Sequence, residues 1–517
     1  MSTRRGLGRA CPTGPEGHAQ SWAPAEGVSG HSADDGHILR DDGGVYQLAT
    51  TSRSVSGGYT AGLDVTVQGP LGPGHGARLG AMPSESNAAA HIQDLGAYVT
   101  ASPSSFHAVH EAARRLNAAG FTALDELQPW AGAAGTGKFY VVRDGAIIAW
   151  VTPETAGPAT GFNILGAHTD SPSFKLKPKP TTGKFGWLQA GVEVYGGPLL
   201  NSWLDRELQL AGRLVMRDGT QHLTATGPLL RFPQLAIHLD RAANEGLALD
   251  KQQHMNPVYG LGDPAGEDLL GLLADRVAGA DVDAALIGGY DVVIADTQPA
   301  AVFGAKGEFF ASGRLDNLSA THAGLTALIN HAAAPMPAGA PIAVLAAFDH
   351  EEIGSASRSG ASGPILEDVL VRISDGLGAS VSQRRQAFAA SFCVSADAGH
   401  AVHPNYAERH DPANRPALNG GPLLKINANQ RYATDAPGAA LWARLCSDAG
   451  IPYQEFVSNN VMPCGSTIGP LTATRLGIRT VDVGVPLLSM HSARELCGVE
   501  DPYRLAKVTE RFFRTAV

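Results

Sequence analysis

Short apolar runs recur along this chain, each bounded by glycine or polar residues and each stopping at a side chain able to hold a metal ion. AVLAAFDHEE ends at Glu351–Glu352, NILGAHTD at His168 and Asp170, SFCVSADAGH at Asp397, and VDVGVPLLSMH at His491. Such runs suit strands covered on both faces, which belong to parallel sheets flanked by helices. Ligands of open α/β sheets bind beyond the carboxyl ends of the strands, where each run places its acidic or imidazole residue. Side chains two apart on a strand share a face, so Asp170 is expected to orient the His168 imidazole. The predicted fold class is α/β, a mixed, largely parallel sheet flanked by helices.

Other patterns divide the chain. HIQDLGAYVTASPSSFHAVHEAARRLNAAG, just after Met82, has helical periodicity and closes at Gly120. FYVVRDGAIIAWVTP predicts a hairpin turning at Asp144–Gly145. Residues 174–305 carry alternating, glycine-punctuated segments such as LQAGVEVYGG and DVVIADTQPAAVFG, which predict a separate β-rich domain. It falls between His168 and Asp316, so a continuous α/β domain has to be rebuilt from 82–173 and 306–517. Residues 1–81 hold 17 Gly, no Phe and no Lys, and are expected to be a disordered extension, with Met82 as the true start.

At 517 residues the chain has room for two or three domains, and 44% hydrophobic content indicates a globular protein. No run approaches the ~20 apolar residues of a membrane span, and no signal-peptide core stands near the N-terminus. A net charge of −10 argues against a nucleic-acid partner, because phosphate binding calls for clustered Lys and Arg. The cysteines at 11, 393, 446, 464 and 497 form no C-x-x-C pair and are expected to be reduced thiols of a cytoplasmic protein.

Catalytic zinc sites take imidazole nitrogen and carboxylate oxygen, and two ions about 3.5–4 Å apart can clamp both oxygens of a hydrolysis. With Asp316 in GRLDNLSA the chain offers a complete set: Asp316 as bridge, His168 and Asp397 for one ion, Glu352 and His491 for the other. Glu351 is then free to act as general base. Taken singly, Glu351–Glu352 would be a solvated helix start, Asp397 a cap, Asp316 a turn residue and His491 a core histidine. His107, His110 and Glu111 in HAVHEA have the wrong order for a zincin helix and read as helix surface. No G-x-S-x-G and no P-loop occurs.

GAHTDSPSFKLKP, SGRLDNL, DHEEIGS, SADAGHAVHPN, LKINANQRYATD, CGSTIGP and MHSARE resemble, in order, the motifs of the aspartyl aminopeptidase family. The resemblance runs from about residue 83 to the C-terminus. It implies a zinc exopeptidase fold with an inserted dimerisation domain, assembled as a homo-oligomeric dodecamer, that removes N-terminal Asp or Glu from peptides with two Zn2+ per subunit. It gives the same ligand and base assignments, with Asp170 as partner of His168. By the same resemblance Lys425 pairs with the acidic substrate side chain, and His238 either reaches a neighbouring subunit's site or ligates metal. Two rival readings remain: another two-metal amidohydrolase or carboxypeptidase of this fold, and a self-assembling structural protein with a vestigial site.

Overall fold

The computed structural model describes residues 85–130 and 135–517. The extension through residue 81, the start at Met82 and Cys11 lie outside the described residues. Nine strands form the main sheet in the order Thr122–Ala123, Gly137–Arg143, Ala146–Thr152, Ile342–Phe348, Phe162–His168, Phe392–Ala396, Arg479–Gly484, Leu423–Ile426 and Gln454–Val457. From Ile342–Phe348 to Arg479–Gly484 the four central strands run parallel, with antiparallel neighbours on either side. Phe162–His168 and Ile342–Phe348 are buried along their whole length, which is why their sequences carry no alternation.

Leu165 and Leu345 enter one core with Leu318, Trp442 and Phe512, while Ile164 and Val344 enter a second with Ile365, Phe388 and Ile468. The two sets alternate along the strands, so helices cover both faces. Helix Leu315–Ala333 packs closest, because a Cβ on its Gly324 would lie 2.2 Å from the Leu165 side chain. That close approach brings Asp316, at the start of the helix, to the strand ends.

The first helical pattern divides into Glu85–Thr100 and Ser105–Ala118, with Ser104 accepting the His107 N–H as a cap. On the second helix His110 is exposed, but Glu111 is buried and accepts from Arg114 and Arg115. The surface reading of HAVHEA therefore fails for Glu111: two guanidinium partners offset the cost of burying its charge. The hairpin forms as expected, Gly137–Arg143 against Ala146–Thr152, with Asp144 left-handed at φ 55.

A second sheet of six antiparallel strands occupies the region from Ser173 to Asp296, in the order Gln221–Ala225, Leu208–Met216, Ile287–Asp296, Ser173–Lys184, Trp187–Tyr195 and Val258–Leu261. Phe174, Trp203, Phe232 and Met255 are in its own core. Ala301–Phe303 lies instead in a five-stranded sheet with Phe309–Ser312, Glu495–Gly498, Pro486–Leu488 and Gly399–His400. Among the described residues no helix is long and apolar enough to cross a membrane. Cys393, Cys446 and Cys497 are buried and, like Cys464, free.

Behind the sheet, His91 and His322 stack edge to face at 4.7 Å, and His322 Nε2 lies 2.7 Å from the Asp94 carboxylate. Burial, then the neighbouring His322, pull the His91 pKa from 6.5 to about 3. Because the folded-state value is depressed, the linked stability is complete above pH 6.5 and is lost as the pH falls towards 3. Unfolding free energies from urea titrations should therefore decline below about pH 6.5, by up to ~1.4 kcal/mol per pH unit from this group. His91→Gln should flatten that decline; an identical decline in both proteins would contradict it.

Candidate metal centre

The carboxyl ends of three adjacent parallel strands supply His168, the turn Asp349–Glu352, and Asp397. Strand register aligns His168 with Phe348, so the imidazole and the two glutamates emerge side by side. Helix Leu315–Ala333 adds Asp316, whose backbone departs from helical geometry at ψ 103. The turn before strand Glu495–Gly498 adds His491, left-handed at φ 66, a conformation that non-glycine residues seldom adopt.

These side chains converge. His168 Nε2 lies 3.4 Å from Asp316 Oδ1, 3.4 Å from Asp397 Oδ1 and 4.0 Å from Glu351 Oε2. His491 Nε2 lies 3.6 Å from Asp316 Oδ2 and 3.4 Å from Glu352 Oε2. Three sets of donor atoms each fall within 4.8 Å: His168–Asp316–Asp397, Asp316–Glu352–His491 and His168–Glu351–Glu352. Asp316 is shared by the first two, with one oxygen towards each imidazole.

Both histidines are held through Nδ1, which faces Asp170 O at 3.1 Å in His168 and Gly197 O at 3.0 Å in His491. A carbonyl accepts only from N–H, so Nδ1 carries a proton and each Nε2 points into the cluster. Asp170 lies outside the donor groups and fixes them: it accepts the amides of Glu351 at 3.0 Å and Glu352 at 3.1 Å, and the Tyr195 hydroxyl at 2.8 Å. Glu495 does the same elsewhere, accepting the amides of Asp316 at 2.9 Å and His491 at 2.7 Å.

A sequence profile described as "Aminopeptidase I zinc metalloprotease (M18)" matches residues 98–513. The "Probable M18 family aminopeptidase 2" of Streptomyces coelicolor is 53% identical over 429 residues, spanning 82% of this chain and 98% of the relative. The chain belongs to the M18 aminopeptidases. A chain in the cryo-EM structure of the Ape4 and Nbr1 complex superposes on this aminopeptidase with a TM-score of 0.80, at 38% identity, covering 84% of this chain and 87% of that one. The S. cerevisiae mApe1 dodecamer gives 0.70 at 28% identity, covering 82% and 96%. The chain is thus a zinc-family peptide hydrolase.

The residues of this aminopeptidase fit a metal. Buried His168 Nε2, Asp316 Oδ1 and Glu352 Oε1 have no hydrogen-bond partner among the described residues, as expected of atoms whose partner is a cation. Burial, then the crowding of carboxylates around Asp316, raises the Glu352 pKa well above its ordinary value, and burial raises that of Glu351 to about 8. Burial lowers the His168 pKa, but the facing carboxylates of Asp170, Asp316 and Asp397 outweigh it and raise it overall. Asp316, Glu351, Glu352 and Asp397 leave the cluster with an excess of carboxylates, which divalent ions would balance.

Two expected site residues belong to none of the donor groups. Lys425 is only 2% exposed; its Nζ donates to Ala398 O at 2.6 Å and sits 3.5 Å from Asp397 Oδ2. His238 is exposed on a segment outside the strands and joins none of the donor groups found among the described residues. Tyr195 and Glu495 were not singled out from sequence. An acidic residue four positions after His491 was a readable signal for Glu495, whereas the contact of Tyr195 with Asp170 arises only once the six-stranded sheet folds back.

Chelator should abolish peptidase activity, and zinc should restore it. Zinc at ~100 times its dissociation constant should stabilise the stripped protein by about 2.7 kcal/mol, read as a rise in Tm. Asp316→Asn should remove most of that rise; an undiminished rise would place the metal elsewhere.

Proposed function

We propose that this chain removes N-terminal residues from peptides, acidic ones preferentially, through two zinc ions sharing Asp316. The single observation that carries the reading is that Asp316 turns one oxygen towards His168 and the other towards His491. In this reading His168, Asp316 and Asp397 hold one ion and Asp316, Glu352 and His491 the other. Ions held there would supply Lewis-acid polarisation of the scissile carbonyl and a more acidic attacking water.

Glu351 is the general base. Its carboxylate stands at the edge of the cluster with 17% of the side chain exposed, the Asp170 bond fixes its backbone, and it coordinates neither ion in this scheme. It takes a proton from the attacking water and returns it to the leaving amine. Asp170 keeps the glutamate turn and the His168 ring in register. The surplus of carboxylates also suits a free α-ammonium group, which supports exopeptidase over endopeptidase action.

A cavity of about 370 Å³ is lined by His400, Tyr432, Phe456, Met462, Leu487 and Ser489, the last two of which stand shortly before His491 in the chain. Lys425 Nζ lies 5.3 Å from the Tyr432 ring that forms one wall. A substrate carboxylate reaching past this ring would pair with Lys425, the basis for the acidic preference. One observation favours a second reading, a preference for neutral residues: Lys425 is already engaged by Ala398 and Asp397, and Phe456, Met462 and Leu487 are apolar.

The same proposal covers assembly and location. Residues 174–305 form an inserted dimerisation domain, placed between catalytic segments 82–173 and 306–517. His238, free of its own centre, is available to a neighbouring subunit's site. The structural likeness to the mApe1 dodecamer supports assembly to a dodecamer. Free, buried Cys393, Cys446 and Cys497 suit the cytoplasm.

Glu351→Gln should lower kcat at least ~100-fold with little change in KM; near-normal turnover would refute the base assignment. Turnover of Asp-, Glu- and Leu-terminated chromogenic substrates separates the two pocket readings. Asp and Glu should be preferred, and Lys425→Met should erase that preference; a Leu preference in the unmodified enzyme would establish the neutral pocket.

A further inference from the structure

Five residues leaving the six-stranded sheet, Tyr195 to Leu199, touch the metal centre at several points. The Tyr195 hydroxyl donates to Asp170 Oδ2 at 2.8 Å. Gly197 O accepts from His491 Nδ1 at 3.0 Å, and Leu199 N donates to His491 O at 2.9 Å. Between them Gly196 sits at φ +68, and a Cβ there would lie 3.1 Å from the Glu352 Cβ and 3.4 Å from Pro172 Cα. Only glycine combines that left-handed turn with so close an approach.

We propose that Tyr195–Leu199 is a positioning strap that holds Asp170, Glu352 and His491 in mutual register and makes zinc retention depend on the six-stranded sheet. The inference rests on the ligand set proposed above. The carbonyl of Gly197 selects the His491 tautomer whose Nε2 faces Asp316 and Glu352. Among the described residues Tyr195 supplies the one side-chain hydroxyl that donates to Asp170, which in turn holds the amides of both glutamates. Partners of metal ligands of this kind set ligand orientation and affinity. Strand pairing makes the strap a lever: Tyr195 lies opposite Ser173, three residues beyond Asp170, so sheet and centre share one short connection.

The test is zinc affinity, measured by competition with a chromophoric chelator on the full chain, with Tm of the zinc-free protein read in parallel. Tyr195→Phe should weaken zinc binding about tenfold while leaving the zinc-free Tm unchanged. Gly196→Ala should weaken it at least as much, because Glu352 must give way. Tyr290→Phe removes another hydroxyl of the same sheet, one that donates to Lys177 O, and should leave zinc affinity unchanged. Wild-type affinity in both strap variants would overturn the proposal. So would equal weakening by Tyr290→Phe, or failure of Tyr195→Phe to fold, either of which would make the role merely structural. His168→Ala and His491→Ala separate the two levels: if they too retain full zinc affinity, the ligand set itself is wrong; if they lose it while the strap variants do not, only the strap falls.

Discussion

One buried carboxylate ties the centre together. Asp170 is 5% exposed, and its oxygens accept the amides of Glu351 and Glu352 and the hydroxyl of Tyr195, while its backbone carbonyl holds the His168 ring. Burial would raise its pKa, but His168 first and then Tyr195 and the Glu351 amide keep it below the ordinary value. A buried carboxylate is tolerable only when its oxygens are saturated in this way. The same saturation makes it a fixed point: the end of strand Phe162–His168, the glutamate turn and the six-stranded sheet all meet there.

From that fixed point the logic of the fold follows. Parallel strands packed by helices on both faces bring their carboxyl ends to one edge, and Gly324 lets helix Leu315–Ala333 approach closely enough to insert Asp316 among them. What gathers at the edge is electrostatically unfavourable by itself: Asp316, Glu351, Glu352 and Asp397 crowd around only two imidazoles. A site in that condition calls for cations, and the unpartnered atoms of His168, Asp316 and Glu352 mark where they belong. Glu495, holding the amides of Asp316 and His491 with one carboxylate, fixes the separation of the residues that reach the centre from outside the main sheet.

Much of this was legible in the sequence because burial on both faces leaves an unmistakable mark. AVLAAF and NILGA have no polar alternation, so their strand character and the position of a donor residue just beyond each were readable without a structure. The residues of the donor groups were readable because each ended such a run or, for Asp316, stood in a family motif. Other features depend on contacts between segments distant in the chain. Tyr195 looks like any strand tyrosine until the sheet places it on Asp170. Lys425 lies on the short strand Leu423–Ile426, where nothing local distinguishes a solvent-facing lysine from one turned inward onto Ala398 and Asp397. Glu111 read as surface because its guanidinium partners, although only three and four residues away, offset its burial in a way that periodicity alone does not register.

The most direct measurement is anomalous diffraction at the zinc absorption edge from zinc-loaded crystals of the full chain. Two peaks about 3.5–4 Å apart, on either side of the Asp316 carboxylate, with one beside His168 and Asp397 and the other beside Glu352 and His491, are the expected result. A single peak, or a pair that does not share Asp316, would contradict the two-ion centre on which the proposed chemistry rests.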